Sequence, residues 1–286
     1  MHGKPLAAAA VVTLGLAAMS PAGATTIEVN SIAPFTNSPT PMVWYANDIR
    51  AGGTASIETL GGGGNLQNNQ PLPTGAAKLT TGLSNADKAE IGVVDSYGLA
   101  GNIFRSLNLS YSYYKEPVGP GVNAFAAPSI KLTLFGRHDT DGFVQLVYEP
   151  YWNQPGREGL ATLLPTGDWT KEVIDFDSGL FWNTGGFGQA NSFGGPPLRT
   201  LEEWLNTFDA EFQAAALLAV SVGVGTFNQG QIGYFDDVRI SHSFGDGYNK
   251  TYDFEAGRTR VSEPASLAIM GLGLAGLGLL RRRRSN

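Results

Sequence analysis

The sequence contains no cysteine, and this absence excludes disulfide bonds, thiol catalysis and cysteine-ligated zinc. Without covalent cross-links, the folded state must be stabilised by a hydrophobic core of good size. Histidine is scarce, and no two of the three histidines have the spacing of a metal-ligating pair. The sequence also lacks a glycine-rich phosphate-binding loop and a Gly-x-Ser-x-Gly motif. We therefore expect a protein that is not an enzyme.

Positive charge is also in short supply, since 19 Lys and Arg residues stand against 25 Asp and Glu residues. Five of the basic residues, Lys4 and the arginines at 281–284, lie in the terminal segments. The remaining 14 basic residues against 25 acidic ones give the body of the chain a net charge of −11. Proteins bind a phosphate backbone through clustered Lys and Arg side chains. We therefore expect no nucleic acid as a partner.

The C-terminal segment 261–286 has three parts in a fixed order. A Glu263-Pro264 turn comes first, followed by the uncharged residues 265–280 and then by four arginines. As a helix, residues 265–280 would be roughly 24 Å long, shorter than the hydrocarbon core of about 30 Å. The segment would cross a bilayer only marginally, with its arginines held on the cytoplasmic side by the positive-inside rule. These arginines are Arg281, Arg282, Arg283 and Arg284.

This arrangement resembles the PEP-CTERM sorting signal of Gram-negative bacteria, which combines a Pro-Glu-Pro turn, a Gly/Leu-rich hydrophobic segment and terminal arginines. Ser262 stands where that family has its first proline. The resemblance implies transient anchoring in the inner membrane and cleavage near Glu263 and Pro264 by an exosortase-type membrane protease. It also implies a final location at the cell surface or in the extracellular matrix. An ordinary C-terminal membrane anchor is the alternative interpretation.

The N-terminal segment 1–24 has the layout of a secretory signal peptide. His2 and Lys4 give it a positive start, residues 6–19 are apolar, and small residues precede Thr25. We expect export through the secretion machinery and cleavage by signal peptidase after Ala24. A buried N-terminal helix is the alternative, but the polar, proline-rich sequence that follows argues against it.

Residues 25–260 between these ends have a length that one all-β domain reaches. The 38 glycines and 16 prolines indicate many turns, and several segments alternate apolar and polar side chains with a period of two. Such alternation predicts half-buried antiparallel strands. Strands are expected at 42–47, 56–60, 90–95, 107–113, 130–134, 144–148, 218–224 and 232–240. Their number favours an all-β, two-sheet antiparallel jelly-roll sandwich.

One segment departs from the strand pattern. Thr200 followed by Glu203 has the spacing of a capping box, and a stripe of apolar residues then falls on one helical face. These features predict one inserted amphipathic helix over 201–215. The stripe is expected to pack on the core at one end of the sandwich, with a ligand-binding role as the alternative. Its members are Leu201, Trp204, Leu205, Phe208 and Phe212.

The segment 233–240 is expected to close the series of strands. Its sequence, Gly-Tyr-Phe-Asp-Asp-Val-Arg-Ile, resembles the closing strand of jelly-roll modules in carbohydrate-binding and lectin-like families, which lies beside the first strand. Strand alternation places Asp236 on the face of Val238 and Ile240. The resemblance implies a structural calcium ion held by Asp236 together with Glu28. The alternative is that Asp236 accepts backbone N–H bonds at a strand start.

A candidate sugar site follows from the strand that begins at Phe143. Its residues opposite the core face combine aromatic rings with an amide and a carboxylate, the usual composition of a site that stacks sugar rings and bonds their hydroxyls. The candidates are Gln145, Glu149, Tyr151 and Trp152, and Tyr114 and Trp182 are possible additions. The alternative is that these aromatic side chains fill the sandwich core.

An acidic stretch at 172–177 resembles the catalytic strand of sandwich-fold glucan hydrolases, but its carboxylates do not match. Glu172 and Asp175 are three residues apart and would face opposite ways. The leading hypothesis is therefore a non-enzymatic, exported surface or matrix protein that binds extracellular polysaccharide. A purely structural matrix protein and a polysaccharide-degrading enzyme with an unrecognised site are the alternatives.

Overall fold

The computed structural model of the protein describes residues 24–117, 119, 122–137, 142–207 and 210–257. Most of the predicted signal peptide lies outside these residues, as do the sorting segment 261–286 and Phe208 of the predicted helix. Within the described ranges, no helix is long and apolar enough to span a bilayer.

The described residues form thirteen strands and four short α-helices. The strands are β1 (Thr25–Val29), β2 (Trp44–Ala46), β3 (Thr54–Thr59), β4 (Gly75–Thr80), β5 (Ala89–Leu99), β6 (Asn108–Lys115), β7 (Ser129–Phe135), β8 (Phe143–Tyr148), β9 (Trp169–Ile174), β10 (Phe181–Asn183), β11 (Ala216–Val224), β12 (Ile232–His242) and β13 (Tyr248–Phe254). The helices are α1 (Gly64–Asn68), α2 (Ala100–Ile103), α3 (Leu201–Thr207) and α4 (Ala210–Ala214), with 3-10 turns at Phe104–Ser106 and Pro150–Trp152.

The strands build two sheets, which confirms the all-β sandwich. The first sheet follows the order β1-β13-β12-β4-β3, and β6 and β9 continue it from the other edge of β12. The second follows the order β10-β8-β7-β11-β5-β2. Pairing is antiparallel within the second sheet, whereas β1 runs parallel to β13 in the first. All eight predicted strands are present, with ends shifted by a few residues.

The core lies between the two sheets. On the second sheet, β7 and β8 turn one set of alternate residues inward, so Ile130, Leu132 and Leu146 are fully buried. Trp44 packs between the sheets with its ring 4.8 Å from Phe254 and 6.0 Å from Phe235, measured between ring centroids. The opposite residues of the second sheet face outward and are available to form a site.

The segment predicted as one helix contains two, α3 and α4, separated by residues 208–209, which are not described. The capping box is confirmed, because the Thr200 N–H donates to Glu203 Oε2 at 2.9 Å and the Glu203 N–H to Thr200 Oγ1 at 3.2 Å. Trp204 is fully buried and donates its ring N–H to the Phe181 carbonyl at 3.0 Å. The described members of the apolar stripe, Leu201, Trp204, Leu205 and Phe212, therefore pack on the core, as expected, rather than facing a ligand.

Strand β12 differs from its prediction in two ways. It is not the last strand, because β13 follows it and separates it from β1. Its alternation is also broken by a bulge between Asp236 and Arg239, where Asp237 has a φ of 51°. Phe235 and Val238, three residues apart, both reach the core as a result. The predicted face-sharing of Asp236 with Val238 therefore does not follow from strand parity, although Asp236 is buried.

Candidate functional site

A groove with a volume of about 430 Å³ lies over the outer face of the second sheet, between loops that rise from its strands. Strands β7, β8 and β10 form the floor, and the segments 191–194 and 225–228 form the rim. The lining residues are Arg50, Lys88, Asn123, Ser129, Lys131, Gln145, Val147, Glu149, Tyr151, Trp182, Thr184, Asn191, Phe193, Gly194, Gly225, Thr226, Phe227 and Asn228.

The floor is polar and fixed by hydrogen bonds. Gln145 on β8 donates its side-chain N–H to Thr133 Oγ1 at 3.1 Å, and its backbone N–H donates to Thr184 Oγ1 at 3.0 Å. The amide of Gln145 is thus held in one orientation across β7 and β8. Its carbonyl oxygen and its second N–H are the groups that a ligand hydroxyl can use.

A buried ionic network supports the floor. Glu90 on β5 is fully buried and accepts hydrogen bonds from Asn47 Nδ2 at 2.7 Å and Ser221 Oγ at 2.8 Å. Its carboxylate also pairs with Lys131 and, at 2.9 Å, with Lys88. Burial would raise the pKa of Glu90, but the two ammonium groups outweigh it and hold that pKa well below its usual range.

A glycine makes room for this network. Gly223 on β11 lies opposite Glu90, and a Cβ atom there would lie 2.9 Å from Glu90 Cβ. Any larger residue would push against the Glu90 side chain. The absence of a side chain at Gly223 therefore leaves the space that the buried Glu90 side chain occupies.

The wall on the β5 side is basic. Lys88 Nζ lies 2.8 Å from Asp48 Oδ2, and Arg50 Nη2 lies 2.8 Å from the same oxygen. Arg50 also donates from Nε to Asp48 Oδ1 at 3.0 Å, so the guanidinium holds the carboxylate by two bonds. Burial opposes ionisation of Asp48, but its two basic partners hold its pKa below the usual value.

The opposite wall is aromatic. Tyr151 and Trp152 have ring centroids 5.0 Å apart and donate to the Gly194 carbonyl at 3.2 Å and 3.0 Å, respectively. Trp182 on β10 donates its ring N–H to Glu149 Oε2 at 3.0 Å. Burial raises the pKa of Glu149. This wall therefore offers ring faces beside a carboxyl group whose position is fixed.

Two phenylalanines stand at the rim with their side chains in solvent. Phe193 is 89% exposed and Phe227 is 66% exposed. Both have left-handed backbone conformations, with φ values of 53° and 62°, which cost a residue other than glycine about 1 kcal/mol or more. Asn191 Oδ1 accepts the Phe193 N–H at 2.7 Å, and Asn85 O accepts the Phe227 N–H at 2.9 Å. The loops thus hold two apolar rings out of the core.

The structure brings together most of the predicted sugar-site residues. Gln145, Glu149, Tyr151 and Trp182 all line the groove. Trp152 supports it through Tyr151 and Gly194 without lining it. Tyr114 lies on the first sheet, where it packs with Trp169 and Tyr234, so its inclusion is wrong. The binding role of the others stays a prediction.

The loops contribute groove residues that were not predicted from the sequence. Arg50, Lys88, Phe193 and Phe227 come from four separate segments, and their convergence depends on the tertiary fold. A weak local signal existed for Phe193, because a phenylalanine within the Asn-Ser-Phe-Gly-Gly run of 191–195 has no strand or helix pattern to bury it.

The residues of the predicted calcium site lie in different environments. Asp236 is fully buried, accepts the Phe254 N–H through Oδ1 at 2.9 Å, and has no hydrogen-bond partner for Oδ2 within the described ranges. Burial raises the pKa of Asp236 to about 8. Glu28 is exposed and accepts from Asn30 Nδ2 at 3.3 Å. The described chain contains no group of three or more acidic or histidine side chains placed to hold a metal.

The hydrogen bond from Phe254 matches the alternative in which Asp236 accepts backbone N–H groups. Calcium requires six to eight oxygen ligands, and the described residues contain no group of three or more acidic or histidine side chains that could supply them around Asp236. Calcium binding there stays a prediction, and the donor set seen here does not fit it.

The acidic stretch of β9 does not form a catalytic pair. Glu172 accepts the Tyr148 hydroxyl at 2.5 Å inside the sandwich, and burial raises the pKa of Glu172. Asp175 accepts the Ser178 N–H at 3.0 Å in the turn that follows. The two carboxylates therefore serve separate local structures.

Comparisons with known proteins identify the C-terminal segment. Residues 260–284 match the PEP-CTERM protein-sorting motif, which confirms the resemblance found in the sequence and marks the chain for export. The matched residues lie outside the described part of the chain. No curated protein matches the sequence.

Several solved structures are similar to the fold. A family 11 carbohydrate-binding module from Clostridium thermocellum, solved with a β-1,3-1,4-mixed-linked tetrasaccharide, has 10% identity and a TM-score of 0.38, covering 72% of this chain and 92% of its own. A putative sugar-binding protein from Bacteroides thetaiotaomicron has 15% identity and a TM-score of 0.37, covering 78% and 96%. An exo-β-agarase has 14% identity and a TM-score of 0.36, covering 74% of this chain and 24% of its own.

Proposed function

We propose that this protein is a non-enzymatic surface protein of a Gram-negative bacterium, released by an exosortase-type protease, that binds polysaccharide in the groove of the second sheet. The sorting motif supports the route. The feature that carries the binding proposal is the groove itself, with aromatic rings at its rim and along one wall and oriented amide and ionic groups in its floor.

The chemistry of the groove suits a sugar chain. A pyranose ring has an apolar C–H face that packs on an aromatic ring, and hydroxyl groups around its edge that exchange hydrogen bonds with polar side chains. Phe193, Phe227 and Tyr151 supply the rings, and Gln145 and Glu149 supply the polar groups. Hydrogen bonds hold the side chains of Gln145, Tyr151 and Glu149, so little ordering of these three groups is required on binding.

We expect the rim phenylalanines to contribute to affinity without contributing to stability. Phe193→Ala and Phe227→Ala should each weaken glycan binding by about 1 kcal/mol, or roughly fivefold, because an exposed stacking surface is lost. The mature protein would be screened on an array of neutral and acidic oligosaccharides, and affinity for the best binders measured by calorimetry.

The matched control for this experiment is Phe244→Ala. Phe244 is exposed like the rim residues but is absent from the groove lining. It should leave affinity unchanged. Binding to no glycan on the array, or equal losses from all three variants, would contradict the proposed site. Release of new reducing ends from a bound polysaccharide would contradict the non-enzymatic role.

The processing proposal has its own test. Intact mass of protein from the producing cells should show a start at Thr25 and an end near Glu263. Replacing both Glu263 and Pro264 by alanine should leave the tail attached and the protein in the membrane fraction, because the turn recognised by the protease is gone. Ser262→Pro, which restores the pattern of the family, is the control and should be processed normally. Release of the double variant at the normal rate would refute this cleavage site.

A further inference from the structure

The groove gathers positive charge in a protein whose body is acidic. Among the described residues that line the groove, Arg50, Lys88 and Lys131 are cationic and Glu149 alone is a carboxylate. The body of the chain has 14 basic and 25 acidic residues, so the lining of the groove is richer in basic residues than the chain as a whole. Local charge of one sign within a cleft attracts ligands of the other sign.

The carboxylates that pair with these cations lie behind them. Glu90 is fully buried, and Asp48 is absent from the lining although 31% of its side chain is exposed. The network thus contains three cations and two carboxylates. Lys131 pairs with Glu90, and Lys88 bridges Glu90 and Asp48, while Arg50 binds Asp48. The charge of Glu149 also acts on Lys131, so Arg50 and Lys88 are the lining cations whose carboxylate partners, Asp48 and Glu90, both lie behind the groove surface.

Donors on this basic wall remain for a ligand. An ammonium group has three N–H donors and a guanidinium has five, more than the contacts made to Glu90 and Asp48 require. Half of the Arg50 side chain is exposed to solvent, at the edge of the groove. A charged acceptor on a ligand would form the strong, charge-assisted kind of hydrogen bond with these groups.

We propose that the groove prefers acidic glycans, in which a uronic acid carboxylate lies against Arg50 and Lys88 while a neighbouring sugar ring stacks on the aromatic wall. This inference rests on the proposed function and specifies its ligand class. Glu149 is bonded to Trp182 on the aromatic side of the groove, whereas Arg50 and Lys88 pair with Asp48 and Glu90.

The test compares uronic acid oligosaccharides with their own carboxyl-reduced forms. Galacturonate, mannuronate and glucuronate oligomers would each be paired with the neutral sugar obtained by reduction, so chain length and linkage are the same within a pair. The mature protein should bind at least one acidic member about tenfold more tightly than its neutral partner, as expected for loss of a charge-assisted contact.

Arg50→Gln tests the basic wall directly. Arg50 is exposed, so the substitution should leave the fold intact and lower affinity for the acidic oligomer by about tenfold more than affinity for the neutral one. Arg239→Gln is the matched control, since Arg239 is exposed on the first sheet, away from the groove. It should change neither affinity.

The outcomes separate this inference from the function on which it rests. Neutral oligosaccharides that bind as tightly as acidic ones, with a loss in Phe193→Ala, would overturn the preference for acid and retain the glycan site. An Arg50→Gln variant that loses affinity for both members equally would also overturn it. Binding to no member of any pair and to no glycan on the array would remove both proposals.

Discussion

Glu90→Gln is expected to destabilise the folded protein by about 3–5 kcal/mol, because removing one partner of a buried ion pair leaves an uncompensated buried charge. Lys131 is nearly inaccessible to solvent and would lose its anionic partner, whereas Lys88 would keep Asp48. Burial already lowers the pKa of Lys131, so its charge depends on the carboxylate. Urea unfolding at pH 7 would measure the change.

A second substitution checks that charge imbalance is the cause. Glu90→Gln combined with Lys131→Met removes both charges and should recover most of the lost free energy of unfolding, since an apolar replacement of a buried pair is often close to neutral. If Glu90→Gln costs less than about 1 kcal/mol, or the double variant is less stable than both single variants together predict, the network is not an obligate pair. The groove floor would then depend on other contacts.

Asp236→Asn is expected to remove a large pH dependence of stability. The pKa of Asp236 is raised to about 8 in the folded protein from an ordinary value of 3.8. The folded state therefore keeps a proton that the unfolded state releases, and the stability this gives at low pH is lost as pH rises from about 4 to 8. The total is about 6 kcal/mol, at 1.36 kcal/mol for each pKa unit.

Urea unfolding between pH 4 and pH 9 would measure this effect. The wild type should lose stability across that window, while Asp236→Asn, which cannot ionise there, should show a flatter profile and be the more stable protein at pH 8. Asp246→Asn, at an exposed carboxylate in the β12–β13 turn, is the control and should follow the wild type. Parallel profiles for all three proteins would contradict a protonated Asp236.

The same variant decides the calcium prediction. A calcium ion bound at Asp236 would stabilise the ionised carboxylate, so added calcium would raise the stability of the wild type at pH 8 and leave Asp236→Asn unchanged. The donor set described above leads us to expect no such increase. A calcium-dependent gain confined to the wild type would show that ligands beyond Asp236 complete the site.

The sequence allowed much of the sandwich to be predicted because period-two alternation is a local property. In strands such as β7 and β8, apolar and polar residues alternate, so six or seven residues are enough to reveal the two faces. Strand β4 was missed because its Gly-Ala-Ala start is buried without alternating, and β10 because it has three residues. The bulge at Asp237 could not be predicted, because the one residue that it inserts shifts the period-two alternation without leaving a mark in the sequence.

The site residues divide in the same way, into those that a local pattern groups and those that only the tertiary fold brings together. Gln145, Glu149 and Tyr151 could be grouped because one strand and its continuation hold them on one side. Glu90 and Lys131 are separated by 41 residues and meet only through β11, which lies between their strands. Charge pairing across a third strand has no local signature. The basic wall could therefore be recognised only after the sheet order was known.

The parallel pairing of β1 with β13 has a consequence for the timing of folding. The first strand finds its partner only when the last strand of the body has been made, so the edge of this sheet cannot be completed on a partial chain. Closure of so long a loop is slow compared with local pairing. Completion of this sheet therefore waits for β13, which ends six residues before the sorting motif begins.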